Sequence, residues 1–522
     1  MTKLFGHLST VSILTLSSRF LGLARDIIFF GCFGASLVGE AFILAFTFPN
    51  LFRRMLGEGT LTSAFIPVFT EALKNKSKKI ALGLLNQVTS RLLVILGVLS
   101  GIVILLSLLM SQDANLVEEK WELGFLLNSI SFGYVLLICT SAILVGALNS
   151  MGSFFEGAFS PVILNLCMIL SMVVGKYFLG LNLNEMALLL CVSVMFGGVL
   201  QLCLPWVRLK NIAGWRFEFN RSDSQELEQI KTLFMVGALG AAVGQVNILV
   251  SRILAYSLED SGGLSYLFLS SRLVELPLGV FAIAIATVFF PEMSKASNEG
   301  NSLKFWEKAK SGLRLTAAIT IPSAVGLMFL ASPILISLFL WGEFGLNEVE
   351  ESKKILQISC LGLPFYAFST FLVKIFHSMK NMHYPLRAAV VSLISNLALS
   401  LLLMPQYQVF GLAWANVISA LIQTIYLWIR LKKIDIKDTT KTPTYHVFII
   451  LFSVGLMSLL LFFAENLHDS HASKLDCIIY LCIAIPTAAI IYFLSMLFLG
   501  FPEIKEFYRI VLAKFANSNS KR

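Results

Sequence analysis

Charge is scarce in this sequence. Asp, Glu, Lys and Arg make up 14% of its 522 residues, whereas soluble globular proteins carry about 25%. With 57% apolar residues there is too little polar surface to cover a water-facing fold, which excludes an ordinary soluble domain. Metal-ligand patterns are missing as well. The eight cysteines (32, 139, 167, 191, 203, 360, 477 and 482) form no Cys-x-x-Cys pair, and the six histidines show no metal-ligand spacing. Those cysteines lie mostly within apolar runs and read as buried free thiols. No Walker A, Gly-x-Ser-x-Gly or His-Glu-x-x-His motif occurs. No metal, no cofactor and no enzymatic chemistry are therefore expected. No cleavable leader is expected, because Lys3 precedes an apolar run that continues past Arg19 without a small-residue cleavage site.

Long apolar runs are what the chain has in abundance. LLVILGVLSGIVILLSLLM (92–110) and FIILFSVGLMSLLLFFA (448–464) are two of many, and about 18 apolar residues suffice to cross a bilayer as a helix. The expected fold class is an all-α polytopic membrane protein. Fourteen spans are expected, at 6–32, 36–57, 81–110, 123–148, 158–180, 186–208 and 232–256 in the first half. The rest fall at 264–293, 312–340, 355–380, 386–404, 411–431, 445–465 and 477–499.

The net charge of +9 does not point to nucleic acid, because it follows the topology. Even-numbered connections are basic: KNKSKK at 74–79, then Arg208 to Lys231, Lys295 to Arg314, and Arg430 to Lys441. The tail adds Lys505, Arg509, Lys514, Lys521 and Arg522. Odd-numbered connections hold few cations, mostly beside acids, as at Lys120, Lys353 and Lys354. Positive charge gathers on the cytoplasmic side, so both termini are expected there.

An internal repeat runs through the spans. AFILAFTFPNLFRRMLGEGTLTSAFIPVFTEA (41–72) sets against SYLFLSSRLVELPLGVFAIAIATVFFPEMSKA (265–296) without a gap. NSM at 149–151 matches HSM at 377–379, and VLQLCLPWVRLK (199–210) matches LIQTIYLWIRLK (421–432). Three matches in one order at nearly one offset imply two parallel six-helix repeats, a transporter architecture with its substrate site between the halves. The expected division is an N-lobe at 1–221 and a C-lobe at 222–441. Residues 442–522 then hold spans 13 and 14 and a cytoplasmic tail.

Charge inside the spans concentrates in the opening pairs of the two repeats. Arg19 and Arg25 lie in span 1, Arg53 and Arg54 in span 2, Arg252 in span 7 and Arg272 in span 8, joined by Asp26, Glu40, Glu58 and Glu275. A charge at mid-bilayer costs about 2.5–3.5 kcal/mol on insertion scales, so these residues call for a use. Guanidinium forks match phosphate oxygens two by two, and a basic cleft suits an anionic, phosphate-bearing substrate. Blander roles compete. Arg91, Arg54 and Lys374 can reach an interface by snorkelling. Arg25 can pair with Asp26, and Arg272 with Glu275 three residues on. Pro49 and Pro277, inside spans 2 and 8, each remove a helix hydrogen bond and are candidate kinks or hinges beside the cleft.

SRFLGLARD (18–26), EAFILAFTFPNLFRRMLGEGTLTSAFIPV (40–68) and SRLVELPLGV (271–280) closely resemble the MurJ (MviN) proteins. These are bacterial lipid II flippases of the multidrug/oligosaccharidyl-lipid/polysaccharide exporter superfamily. The resemblance covers essentially the whole chain. It implies a monomeric transporter of the bacterial inner membrane that carries lipid II, an undecaprenyl-diphosphate-linked disaccharide-pentapeptide, from the cytoplasmic to the periplasmic leaflet by alternating access. Membrane lipids and the cell-wall synthesis machinery are its implied partners, with no nucleic acid. Arg19, Arg25, Arg53, Arg272, Arg54 and Glu40 then take the family's cavity positions, and spans 13 and 14 a groove for the polyprenyl tail. Some relatives carry a lysine where this chain has Thr47, and Arg252, the repeat counterpart of Arg19, can add the missing charge from the other lobe. Some members hold sodium between spans 7 and 11 with carboxylates; those spans here contain no Asp or Glu. An exporter of another polyprenyl-linked glycan, a multidrug antiporter and a membrane glycosyltransferase are the alternatives. An antiporter for cations would favour an acidic cavity, and a glycosyltransferase would need positioned carboxylates.

The charge pattern predicts that cysteines placed at Asn75 and Asp260, in a cysteine-free background, label from opposite faces of the membrane. Labelling of both from outside would overturn the orientation.

Overall fold

The computed structural model describes residues 2–112, 118–434, 444–467, 473–506 and 509. The cations expected at Lys437, Lys441, Lys514, Lys521 and Arg522 lie outside the described residues, as does the side chain of Glu58. Among the described residues there is helix and no strand, with one isolated antiparallel bridge between Trp341 and Phe344. Ten helices among the described residues are long and apolar enough to cross a membrane. The helices bearing Arg19, Arg25 and Arg53 are not among the ten, since the charge that marks them lowers their hydropathy, and the stretch around Arg252, Ala242–Tyr256, is a shorter apolar helix.

Contacts divide the chain into two compact units, Met1–Ser265 with Trp341–Phe344, and Tyr266–Leu340 with Gly345–Arg522. In the first, α1 (Thr2–Phe33) is followed by α2 (Leu37–Phe52), which passes through a π-helical turn, Arg53–Thr60, into α3 (Leu61–Asn75). Then come α4 (Lys78–Met110), α5 (Glu119–Ser131), α6 (Tyr134–Ser150), α7 (Phe155–Val173), α8 (Leu183–Ala213) and α9 (Gln225–Tyr256). Their starts are written in the loops. Ser36, Ser77, Asn182 and Ser224 each accept a backbone N–H of the first helical turn, which satisfies donors that a helix leaves open. Phe65, Phe69, Leu85, Leu144, Leu209 and Trp215 close one core at the α3 side. There the buried Trp215 donates Nε1–H to Asn86 Oδ1 at 2.8 Å. Lys76 pairs with Glu226 at the start of α9, and that bond holds the carboxyl of Glu226 below its ordinary range.

In the second unit, α10 (Gly263–Pro277) leads through another π-helical turn, Leu278–Ala282, into α11 (Ile283–Asn298). α12 (Ser302–Phe329), α13 (Ala331–Phe339), α14 (Leu346–Ser378) and α15 (His383–Lys433) follow. Gln408, at φ +49° and ψ −132°, breaks α15 into two helices, at the connection expected between spans 11 and 12. α16 (Thr444–Leu467) and α17 (Lys474–Phe498) pack on α12 and α13 through Ala318, Ile449, Val454, Met496, Leu330 and Leu461. Lipid is as apolar as leucine, so membrane helices associate through close packing and buried hydrogen bonds. Tyr492 supplies one such bond, its hydroxyl donating to the Ala318 carbonyl at 2.6 Å. Arg314 supplies another from Nη2 to Glu503 Oε1 at 2.6 Å.

Features at matched sequence positions recur in the two units. The ungapped pairing of 41–72 with 265–296 sets the π-helical turn Leu278–Ala282 inside its counterpart Arg53–Thr60. The NSM and HSM matches both fall on helix ends, with Met151 capping α6 and Met379 capping α14. Each end closes with a six-residue bond, Ser153 N–H to Leu148 O at 2.9 Å and Asn381 N–H to Phe376 O at 3.0 Å. The left-handed residue such a cap requires is Gly152 (φ +84°) in one and Lys380 (φ +59°) in the other.

That difference yields a prediction. A Cβ built at Gly152 meets nothing within 4 Å, so its backbone alone decides the effect. Gly152→Ala should lower stability by about 1–2 kcal/mol, and Lys380→Gly should raise the thermal midpoint. Thermal unfolding in detergent reads both, and shifts of one sign would refute the assignment.

Candidate functional site

Arg25 is fixed by its neighbours. Its Nη2 and Nε donate to Asp26 Oδ1 at 2.6 and 3.0 Å, and Nη1 donates to Asn165 Oδ1 at 3.1 Å. Asn165 on α7 returns a bond from Nδ2 to the Ser18 carbonyl at 3.2 Å. The charge is thus held in a small, part-buried network rather than left to lipid. Arg19, two turns earlier on the same helix, is exposed.

Pro49 lies inside α2, and the helix widens into its π-helical turn at Arg53. Proline removes one donor and pushes the preceding carbonyl away. The Arg53 N–H then meets both the Pro49 and Asn50 carbonyls. Thr60 Oγ1 donates to Met55 O at 2.8 Å, serving one carbonyl of the widened turn with a side chain. Pro277 does the same in the second unit, directly before Leu278–Ala282. Such turns are rare and gather at functional sites. Asn50 Oδ1 accepts Arg53 Nε at 3.0 Å and aims that guanidinium; Arg54 follows it in the same turn.

Glu40 is fully buried. Its Oε1 accepts the backbone N–H groups of Leu264 and Ser265 at 2.7 and 3.2 Å. It therefore caps the positive end of α10, where an anion is favoured. Its Oε2 lies 4.0 Å from Lys120 Nζ. Lys120 in turn donates to the Leu258 carbonyl at 2.8 Å and sits 4.8 Å over the Tyr256 ring. The Tyr256 hydroxyl donates to the Lys120 carbonyl, and Trp121 meets the same ring edge to face. Sequence reasoning left Lys120 as a loop cation beside acids. Only the return of the chain to α9 reveals its partners.

Thr47 and Arg252 come together across 205 residues. Arg252 Nη1 donates to Thr47 Oγ1 at 2.6 Å, while Thr47 donates to the Ile43 carbonyl at 2.6 Å. A guanidinium from α9 therefore occupies the surroundings of Thr47.

Beside Arg53 the first unit holds a cavity of about 310 Å³, with Thr62, Ser141, Asn149, Ser160 and Gln201 as its polar lining. Gln201 is fully engaged. Its Oε1 accepts from Tyr134 at 2.9 Å, and Nε2 donates to the carbonyl and hydroxyl oxygens of Ser160 at 2.7 and 3.0 Å. Ser141 donates to the Gln201 carbonyl at 2.7 Å. In the sequence this glutamine was only one polar letter in an apolar span, which is the signal that could have found it.

In the second unit, Arg272 Nη1 lies 3.2 Å from Glu275 Oε2, and its guanidinium stacks 4.8 Å over Phe268. The two side chains remain 24% and 47% exposed. Neither side chain is fully buried within the protein.

Comparison with known proteins gives concordant matches. A family model described as "Lipid II flippase MurJ" matches residues 30–497. A probable lipid II flippase MurJ of Bdellovibrio bacteriovorus is 35% identical over 425 residues, covering 80% of each chain. One from Buchnera aphidicola is 29% identical and covers 97% of this chain and 99% of its own. A solved structure titled "Lipid II flippase MurJ, inward closed conformation" superposes with a TM-score of 0.76 at 28% identity, covering 94% of this chain and 98% of that one. An inward-facing multidrug resistance MATE transporter of the MOP superfamily shares the fold, with a TM-score of 0.63 at 14% identity over 82% of this chain and 99% of that one.

The Thr47 contact gives the prediction here. A hydrogen bond to a charged donor contributes roughly 1.5–3 kcal/mol, so Thr47→Val should lower thermal stability by that order and Thr47→Ser should not. Equal midpoints for the two variants would show that the contact contributes nothing.

Proposed function

The chain belongs to the lipid II flippase MurJ family, and on that premise we propose how its arginines serve transport. It is a multi-pass protein of the bacterial inner membrane that flips lipid II, a transporter and not an enzyme. The match over residues 30–497 carries this reading. In our reading the fourteen helical stretches are two six-helix repeats plus spans 13 and 14, with lobes at 1–221 and 222–441 and both termini cytoplasmic. The overlap of the two π-helical turns and the matching helix caps at Met151 and Met379 support the repeat. Residues 442–522 contribute a groove for the polyprenyl tail, and the protein works as a monomer by alternating access.

Arg19, Arg25, Arg53, Arg54, Arg252 and Arg272 are the cations that serve the diphosphate. Support comes from how the acids are spent. Asp26 pairs with Arg25, and Glu40 caps a helix. Both of these carboxylates are thus engaged locally. Arg252 on Thr47 supplies charge from α9 where some relatives use a lysine. Pro49 and Pro277, each followed by a π-helical turn, are the hinges about which the arginine-bearing segments move.

Arg272 separates binding from scaffold. The Arg272–Glu275 pair is only part-buried, so Arg272→Ala should express and fold normally yet fail to complement a bacterium depleted of its lipid II flippase. Arg272→Ala/Glu275→Ala should fail as well, since no donor is restored. Arg272→Lys should retain partial activity, a point charge replacing a two-pronged donor. Full complementation by the well-expressed double variant would refute the binding role, and failure of the wild type would refute the function.

A further inference from the structure

We propose that a groove of about 710 Å³ between the start of α7 and the end of α8 binds one zwitterionic glycerophospholipid of the bilayer, with its phosphodiester on Arg208. The inference goes beyond the transport reading and needs only that both helices lie in a membrane, for which they are long and apolar enough. Along α8, Gln201, Pro205 and Leu209 are buried within the unit. Leu200, Leu204, Val207, Arg208 and Asn211 line the groove instead, at the three- and four-residue spacing of one helix face. Leu200 and Val207, with Phe155 on α7, are exposed, and in a bilayer such apolar surface meets acyl chains. The groove is graded along its length. Glu156 in the first turn of α7 meets Arg208 and Asn211 near the end of α8, while Ile163, Leu200 and Leu204 lie further along both helices. A phospholipid has the same order, a polar head and then apolar chains. The volume, within the range of small-molecule sites, takes one headgroup and the upper part of its chains.

The charges select the head. Glu156 is buried, its Oε1 lies 3.1 Å from Arg208 Nε, and its Oε2 accepts the Ser153 hydroxyl at 2.8 Å. This carboxylate therefore orients the guanidinium through Nε. Arg208 is 51% exposed, and its Nη1 and Nη2 take no partner among the described residues. Two N–H donors in one fixed plane match two oxygens of a phosphodiester. Asn211 brings an amide to the same end, one turn beyond Arg208. Pockets rich in cations favour polyanionic heads. Here Arg208 and Glu156 cancel, and no other charged residue lines the groove among the described residues. A head of zero net charge, as in phosphatidylethanolamine, then leaves no uncompensated charge at the edge of the hydrocarbon.

The test uses the full-length protein, delipidated in detergent and titrated with dioleoyl phosphatidylethanolamine or dioleoyl phosphatidylglycerol, with bound lipids counted by native mass spectrometry. Arg208→Lys keeps a cation beside Glu156 but loses the fork. Cys203→Trp fills the groove from an exposed position, so one variant remains if the other misfolds. Wild type should bind one phosphatidylethanolamine more tightly than phosphatidylglycerol. Each folded variant should bind it about tenfold more weakly, a loss the size of one charge-assisted hydrogen bond. Equal binding of the two lipids by wild type, or unchanged phosphatidylethanolamine binding in the folded variants, overturns the proposal. Lipid II binding should not change; a parallel fall would give the groove to the transported lipid and overturn the proposal as well. A wild type that flips no lipid II would refute the transport reading and leave this site standing.

Discussion

A guanidinium placed within a membrane-spanning helix must be held by partners of its own, because hydrocarbon offers none and the cost of leaving it bare is several kcal/mol. Much of the first unit follows from that constraint. Arg25 is held by Asp26 and Asn165, Arg53 by Asn50, and Arg252 by Thr47. These partners are short, polar and mostly neutral. Neutral partners such as Asn50 and Thr47 steady a cation without adding a countercharge of their own.

The same constraint explains the fate of the acids. A buried carboxylate is costly unless paired or hydrogen-bonded, and Glu40 meets this by capping α10 with Lys120 nearby. Its charge thereby organises the backbone. The prolines act on the backbone in a related way. Each removes a donor, and a π-helical turn follows it in the chain, the two turns falling at matched sequence positions. In the first unit that turn begins with Arg53, so backbone irregularity and charge share one position.

Packing in a bilayer draws on close contact more than on expulsion of water. The buried bonds of Trp215, Tyr134 and Tyr492 show how polar side chains join helices where lipid competes for apolar surface. The C-terminal pair α16 and α17 rests on α12 and α13 by the same means, ending in the Arg314–Glu503 bridge.

The helical character of the chain and the placement of arginines within its helices are legible from the letters. They depend on local features, namely runs of apolar residues, loop charges, helix-capping residues and prolines, that act over a few residues. The family likeness was legible for the same reason, being carried by contiguous stretches such as FPNLFRRMLGEGT. What could not be read was which charge meets which partner. Arg252 reaches Thr47 across 205 residues, Arg25 reaches Asn165 across 140, and Glu40 meets the start of α10 across 224. Each of these pairings depends on which helix faces lie against one another, and that is set by side-chain packing summed over the whole unit, a quantity no local stretch contains.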